Sequence, residues 1–393
     1  MQPLHITHVT LASSLGAGLS ATLEALRSRR SGLSRCAFET ADLQTCVGQV
    51  PEAALAPVRE DLTIFDARNN RLAQLALRQD GFEDAVAAVR LRYGPNRIGL
   101  FLGTSTSGLL ETEQAYRRRD PVSGALPPDF QYAARHNTYA LGAFVQAYLG
   151  LTGPSVVVST ACSSSAKVFG NALRMIASGV CDAAVVGGAD SLCLTTLYGF
   201  HALGLVSPTP CRPFDVQRDG ISIGEAAGFA LLAREAEAGA IKLLGVGESA
   251  DAHHMSTPHP EGLGALLAME RALHRAGLTA SAIDYINLHG TATRTNDESE
   301  ARAVRAVFGG TTPCSSTKGW TGHALGASGI VEAAICWLAL QHGFMPGSLN
   351  TRALDPALRV NYLLENRDST PRIVMSNSFG FGGTNCSLIL GRD

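Results

Sequence analysis

The chain repeats one order of segments, and this repeat is the feature that most constrains its fold. Residues 153–190 run from an apolar strand through a turn of small residues into a helical pattern and a second apolar strand. Residues 312–343 give a short strand, a glycine-rich polar loop and a long apolar helix. Both central helices are apolar enough to be buried between two sheets. The repeat predicts an internal duplication and an α/β fold of five layers, α/β/α/β/α.

The boundary between the two halves is predicted in the polar segment EAEAGAIKLL, residues 235–244, where a helix-like end gives way to a new strand. This places an N-terminal half over residues 1–238 and a C-terminal half over residues 239–393. An insert near residues 104–140 contains the charged stretch ETEQAYRRRD. We interpret this insert as a cap or a dimer contact.

Composition excludes several classes of protein. The formal net charge of −2 gives no basic surface for nucleic acid and no polybasic patch for a membrane. Apolar runs are interrupted before about 18 residues, so no membrane span is expected. The nine cysteines lack paired spacing and no secretion signal precedes them, which predicts reduced thiols in the cytoplasm and no zinc site.

Cys162 lies in the segment STACSSS, directly after the apolar run Val156–Val158. A buried cysteine is usually a small packing residue. Here the small neighbours permit a tight strand-to-helix turn of the kind that exposes a nucleophile. A helix N-terminus favours negative charge, so we expect a lowered thiol pKa. The context therefore favours Cys162 as a nucleophile.

Two histidines lie in loops of small residues in the second half. His289 follows a predicted strand, and His323 lies in the glycine-rich segment KGWTGHALGASG. Either could be a structural histidine, but glycine leaves room for a ligand to approach closely. Lys318 and Glu300 lie near them in sequence, and we predict an ion pair between these two that fixes the histidines.

Polar and aromatic groups follow each of these loops. The hydroxyl groups of Thr291 and Thr293 could bind an extended amide ligand. The segment SFGFGGTN, residues 378–385, combines two phenylalanines with three glycines. We interpret it as a mobile wall that presents a backbone N–H to an oxyanion.

Taken together, these segments resemble a known family. TACSSS, HGTATRTNDESE, KGWTGHALGASG and NSFGFGGTN are similar to four signature segments of elongating β-ketoacyl-acyl-carrier-protein synthases, the condensing enzymes of the thiolase superfamily. CRPFDVQRDGISIGEAAG and DAHHMSTPHPEG resemble two further segments of that family. The resemblance extends almost from end to end and implies a thiolase-like fold.

The resemblance implies a role for each main site residue. Cys162 would accept an acyl chain as a thioester, and malonyl-acyl carrier protein would then enter. His289 and His323 would bind its thioester carbonyl during decarboxylation. The backbone N–H groups of Cys162 and Phe381 would form the oxyanion hole, with Phe379 and Phe381 as a gate.

Further implied roles concern support and substrate binding. Lys318 and Glu300 match the supporting pair of the family, and Thr291 and Thr293 match its pantetheine contacts. Additional substrate contacts are implied at Thr106, Phe200 and Ser256. No metal or redox cofactor is required, because the substrates are carried on the phosphopantetheine of an acyl carrier protein.

Several alternatives concern the pathway and the partner. The polar segment GTSTSG, residues 103–108, aligns with a wall of the acyl pocket and favours a specialised aryl-polyene or polyketide-like pathway, with fatty acid elongation as the other candidate. A homodimer is expected, and a heterodimer with a related chain-length-factor subunit is the alternative. A non-catalytic subunit is disfavoured because the cysteine and both histidines are present. A nucleotide-binding oxidoreductase is disfavoured because no GxGxxG opens a helix after the first strand.

Overall fold

The structure, a computed structural model, describes residues 2–236 and 239–392. Ala238, the last residue of the predicted N-terminal half, lies outside the described residues, so the domain boundary stays a prediction. Strands of the first half are β1 (Leu4–Ser13), β2 (Gly16–Ala17), β3 (Ser34–Arg35), β4 (Cys46–Val47), β5 (Ile98–Gly103), β6 (Ser155–Val158), β7 (Ala183–Asp190) and β8 (Ala226–Ala233). Strands of the second half are β9 (Lys242–Ala250), β10 (Tyr285–Asn287), β11 (Pro313–Ser315), β12 (Phe344–Met345), β13 (Asn361–Tyr362), β14 (Arg367–Asp368), β15 (Ile373–Gly380) and β16 (Thr384–Gly391).

Helices connect most of the long strands. Those of the first half are α1 (Leu19–Arg27), α2 (Arg68–Leu77), α3 (Phe82–Tyr93), α4 (Leu109–Arg117), α5 (Tyr139–Leu149), α6 (Ser164–Ala177) and α7 (Leu194–Ala202). Those of the second half are α8 (Leu263–Ala276), α9 (Arg294–Phe308), α10 (Lys318–Thr321) and α11 (Ser328–His342). The predicted insert therefore contains α4 and the start of α5, and its role in a dimer stays a prediction.

The sheet topology repeats across the two halves. Five strands run in the order β6-β5-β7-β8-β1, and five more follow in the order β9-β16-β15-β10-β11. In the first half β8 is antiparallel to β1 and β7, whereas β5 is parallel to β7 and β6. In the second half β16 is antiparallel to β9 and β15, whereas β10 is parallel to β15 and β11. The matching pattern confirms the predicted duplication.

Three hydrophobic clusters divide the protein into layers. The central cluster joins α6 and α11 to residues of β1, β8, β9 and β16. A second cluster packs α2, α3 and α5 on the outer face of the first half, and a third packs α8 and α9 on the outer face of the second half. Burial of apolar side chains on both faces of each half-sheet produces the predicted five layers.

The central helix α11 is apolar on almost every side. The stretch Leu325–His342 is long and apolar enough to cross a membrane by length and composition, but 83% of it is buried inside the fold. Gly343, in the left-handed conformation with φ 66°, caps the helix at the predicted position. The composition of α11 is that of a helix enclosed between two sheets.

The two central helices approach each other closely at a glycine. A methyl group added to Gly329 would lie 2.5 Å from the backbone nitrogen of Ala166 and 2.8 Å from its side chain. Gly329 lies in the first turn of α11, and Ala166 lies in the first turn of α6. The absence of a side chain at position 329 therefore sets the separation of the helix ends that flank Cys162 and His323.

The substitution Gly329→Ala tests this contact. We expect the free energy of unfolding to fall by about 1–3 kcal/mol, because the added methyl group overpacks the central layer. The matched control is Gly199→Ala in α7, where an added methyl group meets nothing within 4 Å. This control is expected to gain up to about 1 kcal/mol from helix propensity. Urea denaturation measures both, and equal stability of Gly329→Ala and the wild type would contradict the packing argument.

Candidate active site

Cys162 lies in a tight turn between β6 and α6, as its sequence context predicts. Ala161, directly before it, has a positive φ of 51°, a conformation that is unfavourable for a residue with a side chain. The turn is closed by the backbone N–H of Thr160, which donates to Ser164 Oγ at 2.9 Å. Cys162 is 5% exposed. The turn therefore holds the thiol at the bottom of a narrow cavity.

The electrostatic state of this thiol differs from the sequence-based expectation. Burial raises the pKa of Cys162 to about 11, although Lys318 and the backbone N–H of Phe381 act in the opposite direction. The prediction of a lowered thiol pKa is wrong, because removal of water from the thiolate outweighs the opposing effects of Lys318 and Phe381. Cys162 is therefore a neutral thiol at rest.

His323 is the group placed to accept the proton of this thiol. Its Nε2 lies 3.0 Å from Cys162 Sγ, and its Nδ1 lies 2.8 Å from Ser328 Oγ. His289 packs edge-on against it, with ring centroids 5.3 Å apart. Burial lowers the pKa of both imidazoles well below the usual value, and the charge of Lys318 acts in the same direction. Both histidines are therefore neutral.

Lys318 fixes His289 but does not pair with Glu300 as expected. Its ammonium forms an ion pair with Glu332 and donates to the backbone carbonyl of His289. It also lies 3.3 Å from His289 Nδ1. A neutral imidazole that accepts at Nδ1 carries its proton on Nε2. Lys318 therefore makes His289 a hydrogen-bond donor toward the cavity.

Glu300 has a separate role in holding the loop of His289. Its carboxylate accepts the backbone N–H groups of His289 and Gly290, each at 2.8 Å. Burial raises the pKa of Glu300 to about 7, and these two N–H groups oppose the shift. Glu300 thus positions the backbone, whereas Glu332 balances the charge of Lys318.

Glu332 is a functional residue that sequence reasoning missed. It is 2% exposed and lies in the second turn of α11, an apolar helix. A charged residue in a buried apolar helix requires a partner, because an unpaired buried charge is costly. A single glutamate in the apolar segment SGIVEAAICWLALQHG is the sequence signal that could have identified Glu332 as part of the site.

A cavity connects Cys162 to the surface, and most of the predicted site residues line it. Those that do are Cys162, Phe200, Ser256, His289, Thr291, Thr293, His323, Phe379 and Phe381. The rings of Phe200 and Phe381 lie 5.5 Å apart, and that of Phe379 lies 5.9 Å from His289. The backbone N–H of Phe381 opposes the rise in the pKa of the Cys162 thiol. The phenylalanine-glycine loop therefore forms one wall of the cavity beside Cys162.

The remaining predicted substrate contact lies elsewhere. Thr106 is 4% exposed and lies outside the residues that line this cavity. Its hydroxyl donates to Asp190 Oδ1 at 2.9 Å. A substrate-binding role for Thr106 stays a prediction.

The reactive groups also have the spacing of a metal site. One donor atom from each of Cys162, His289 and His323 lies within 4.8 Å of the others. A ring nitrogen that carries hydrogen cannot be a metal ligand, and the contact with Lys318 places hydrogen on Nε2 of His289. The arrangement favours hydrogen-bond donation to a substrate oxygen.

Comparison with known proteins places this geometry in a family. Residues 2–238 match the model of the β-ketoacyl synthase N-terminal domain, and residues 241–352 match that of the C-terminal domain. The chain belongs to the β-ketoacyl synthase family. It is accordingly a condensing enzyme of the thiolase superfamily and an acyltransferase.

Individual relatives span the chain to different extents. The Escherichia coli 3-oxoacyl-[acyl-carrier-protein] synthase 1 is 33% identical, and the alignment covers 98% of each chain. The mitochondrial 3-oxoacyl-[acyl-carrier-protein] synthase of Arabidopsis thaliana is 42% identical over 61% of this chain and 57% of its own length. Among solved structures, a chain of the complex of the ketosynthase ApeO with its chain length factor ApeC from Xenorhabdus doucetiae has a TM-score of 0.92 and 40% identity. That match covers 100% of this chain and 98% of the matched chain.

The raised thiol pKa of this synthase predicts how Cys162 reacts with iodoacetamide. The alkylation rate is expected to keep rising above pH 9, because burial holds the pKa of Cys162 at about 11. Mass spectrometry of the Cys162 peptide measures the rate at each pH. The same peptide in the urea-unfolded protein is the control, with an expected midpoint of about 8.5. A midpoint near neutrality in the folded enzyme would instead indicate a thiolate–imidazolium pair.

Proposed function

We propose that this synthase condenses malonyl-acyl carrier protein with an acyl group held as a thioester on Cys162 and so lengthens a fatty or polyene-type chain by two carbons. The observation that carries the proposal is the 3.0 Å contact of Cys162 Sγ with His323 Nε2, beside a second neutral histidine. Covalent storage on sulfur divides the condensation into two transfers. Both transfers use the same cavity.

In the first transfer, Cys162 Sγ attacks the thioester carbonyl of an acyl carrier protein. The thiol proton passes to His323 Nε2 as the carbon–sulfur bond forms. The backbone N–H groups of Cys162 and Phe381 stabilise the oxyanion, in the manner of an oxyanion hole. The pantetheine sulfur leaves and takes up the proton, which leaves the acyl group on Cys162.

In the second transfer, malonyl-acyl carrier protein occupies the emptied cavity. His289 donates to its thioester carbonyl, and so does His323 in the tautomer that carries hydrogen on Nε2 while Nδ1 accepts from Ser328 Oγ. The two donors stabilise the enolate that forms as carbon dioxide departs. The enolate carbon attacks the acyl carbonyl and the bond to Cys162 Sγ breaks. The sulfur leaves as a thiolate, which takes up a proton from solvent water to regenerate the thiol. Neutral donors suffice, because decarboxylation produces the carbanion without a strong base.

The other predicted residues surround this reaction. Thr291, Thr293 and Ser256 would bind the pantetheine arm, Phe200 would contact the acyl chain, and Phe379 would act as a gate. The hydroxyls of Thr291 and Thr293 lie 2.9 Å apart, which supports a shared polar contact. In this scheme the half over residues 1–238 supplies the nucleophile, and the half over 239–393 supplies the histidines. A cytoplasmic location stays a prediction.

The substitution Cys162→Ala tests the nucleophile. Condensation is expected to fall roughly 10³-fold or more, because no acyl-enzyme can form. Decarboxylation of malonyl-acyl carrier protein is expected to continue, since both histidines remain. The matched control is Cys386→Ala, which removes a buried thiol that does not line the cavity. Incorporation of a radiolabelled acyl group into the condensation product measures the rate of each variant. Condensation by Cys162→Ala at the wild-type rate would contradict the proposal.

A second candidate is the catalytic subunit of a heterodimer in aryl-polyene or polyketide-like biosynthesis. Its support is the similarity to a chain of the ApeO–ApeC complex, which pairs a ketosynthase with its chain length factor. The apolar segment over residues 140–153 is one candidate for the dimer contact, but it contains most of α5 and buries Leu141, Phe144 and Val145 within its own chain. A better candidate for the contact with a second subunit is the sheet edge at β6, where Val156 is 39% exposed.

Sedimentation with turnover assays distinguishes the two candidates. A homodimeric elongating synthase is expected at twice the 41.2 kDa of one chain and active alone. A heterodimeric subunit is expected to gain turnover only when a related subunit lacking the nucleophilic cysteine is added at equal concentration. A matched control adds that subunit to Cys162→Ala. Full activity of the purified chain alone would contradict the second candidate.

A further inference from the structure

Asp190 is a buried carboxylate at the end of β7 that the reaction scheme does not use. It is 0% exposed. Its Oδ1 accepts the hydroxyl of Thr104 at 2.6 Å, the N–H of Ser105 at 2.8 Å, and the N–H and hydroxyl of Thr106, each at 2.9 Å. The Ser105 hydroxyl donates to Oδ2. The polar loop 104–106 is therefore folded around this one carboxylate.

The other oxygen of Asp190 reaches the loop that carries His323. Asp190 Oδ2 accepts the backbone N–H of Gly326 at 2.6 Å. A methyl group on Gly326 would lie 2.8 Å from this oxygen, so the residue must be glycine for the backbone to come so close. Gly326 lies between His323 and Ser328, the residue that contacts its Nδ1. The carboxylate thus holds the middle of the loop that orients the imidazole.

Neutral groups hold the start of the same loop and the first turn of α11 that follows it. The N–H of His323 donates to the carbonyl of Ser222 at 2.7 Å, and the N–H of Ile330 donates to Ser165 Oγ at 3.0 Å. Among these anchors, Asp190 is the charged one, and hydrogen bonds to a charged group are roughly twice as strong as neutral ones. Loss of its charge would therefore loosen the loop at its centre.

We propose that Asp190 is a positioning residue that holds His323 at its reacting distance from Cys162 through the N–H of Gly326. The inference rests on the proposed function, since it gives the loop a role in proton transfer and enolate binding. It also explains why residues 104–106 carry hydroxyl groups, because all three hydroxyls donate hydrogen bonds to Asp190. A displacement of about 1 Å in such a group can cost 10²-fold in rate.

The test compares Asp190→Asn with Asp215→Asn. In Asp190→Asn an NH₂ group replaces one carboxylate oxygen. Backbone N–H groups face both oxygens of Asp190, so the new NH₂ group would face a donor and have no acceptor. Asp215 is the matched control, because it is 2% exposed and its carboxylate accepts the N–H groups of Gln217, Arg352 and Ala353. Both variants lose a buried carboxylate that binds backbone donors, so both are expected to melt at a lower temperature.

The expected result separates positioning from folding. For Asp190→Asn, kcat should fall about 10- to 100-fold with KM for malonyl-acyl carrier protein unchanged. For Asp215→Asn, kcat should stay at the wild-type value. Crystal structures should show the distance from His323 Nε2 to Cys162 Sγ lengthened beyond about 3.5 Å in Asp190→Asn alone.

Two results would overturn the inference. One is an unchanged kcat and an unchanged Nε2–Sγ distance in Asp190→Asn, and the other is an equal loss of kcat in both variants. Failure of the wild type to condense would contradict the proposed function instead. The crystallographic distance would then still decide whether Asp190 positions His323.

Discussion

The contact between α6 and α11 is the constraint on which the active site depends. Cys162 precedes α6 and His323 precedes α11, so the separation of the two helix ends fixes the distance between sulfur and imidazole. Gly329 allows Ala166 to come close, and a methyl group there would lie 2.5 Å from its backbone nitrogen. Because each helix belongs to one of the duplicated halves, the reaction geometry follows from how the halves pack.

Burial in this central layer also determines the charge of every reacting group. Desolvation raises the pKa of the Cys162 thiol and lowers that of both imidazoles, so the three groups are neutral at rest. Beside them, Lys318 and Glu332 form a buried ion pair. A neutral site suits a reaction in which charge appears only on an enolate or an oxyanion, where fixed donors stabilise it most.

Sequence patterns predicted the parts of this site that depend on local structure. The duplication, the turn at Cys162 and the glycine-rich loop at His323 follow from spacing and residue size, and the structure contains each of them. The thiol pKa could not be predicted, because it depends on water removed by residues far away in the chain. The partner of Lys318 was also missed, because Glu300 and Glu332 lie 18 and 14 residues from it and distance in sequence does not decide between them.

Helical geometry explains how one element supports both histidines. Ser328 and Glu332 are four residues apart in α11, so they lie on one face of the helix. Ser328 contacts Nδ1 of His323, whereas Glu332 pairs with Lys318, which contacts Nδ1 of His289. The orientation of the two imidazoles is therefore coupled through one turn of a rigid buried helix. A shift of α11 would move both imidazoles together, which would preserve the alignment that the proposed enolate step needs.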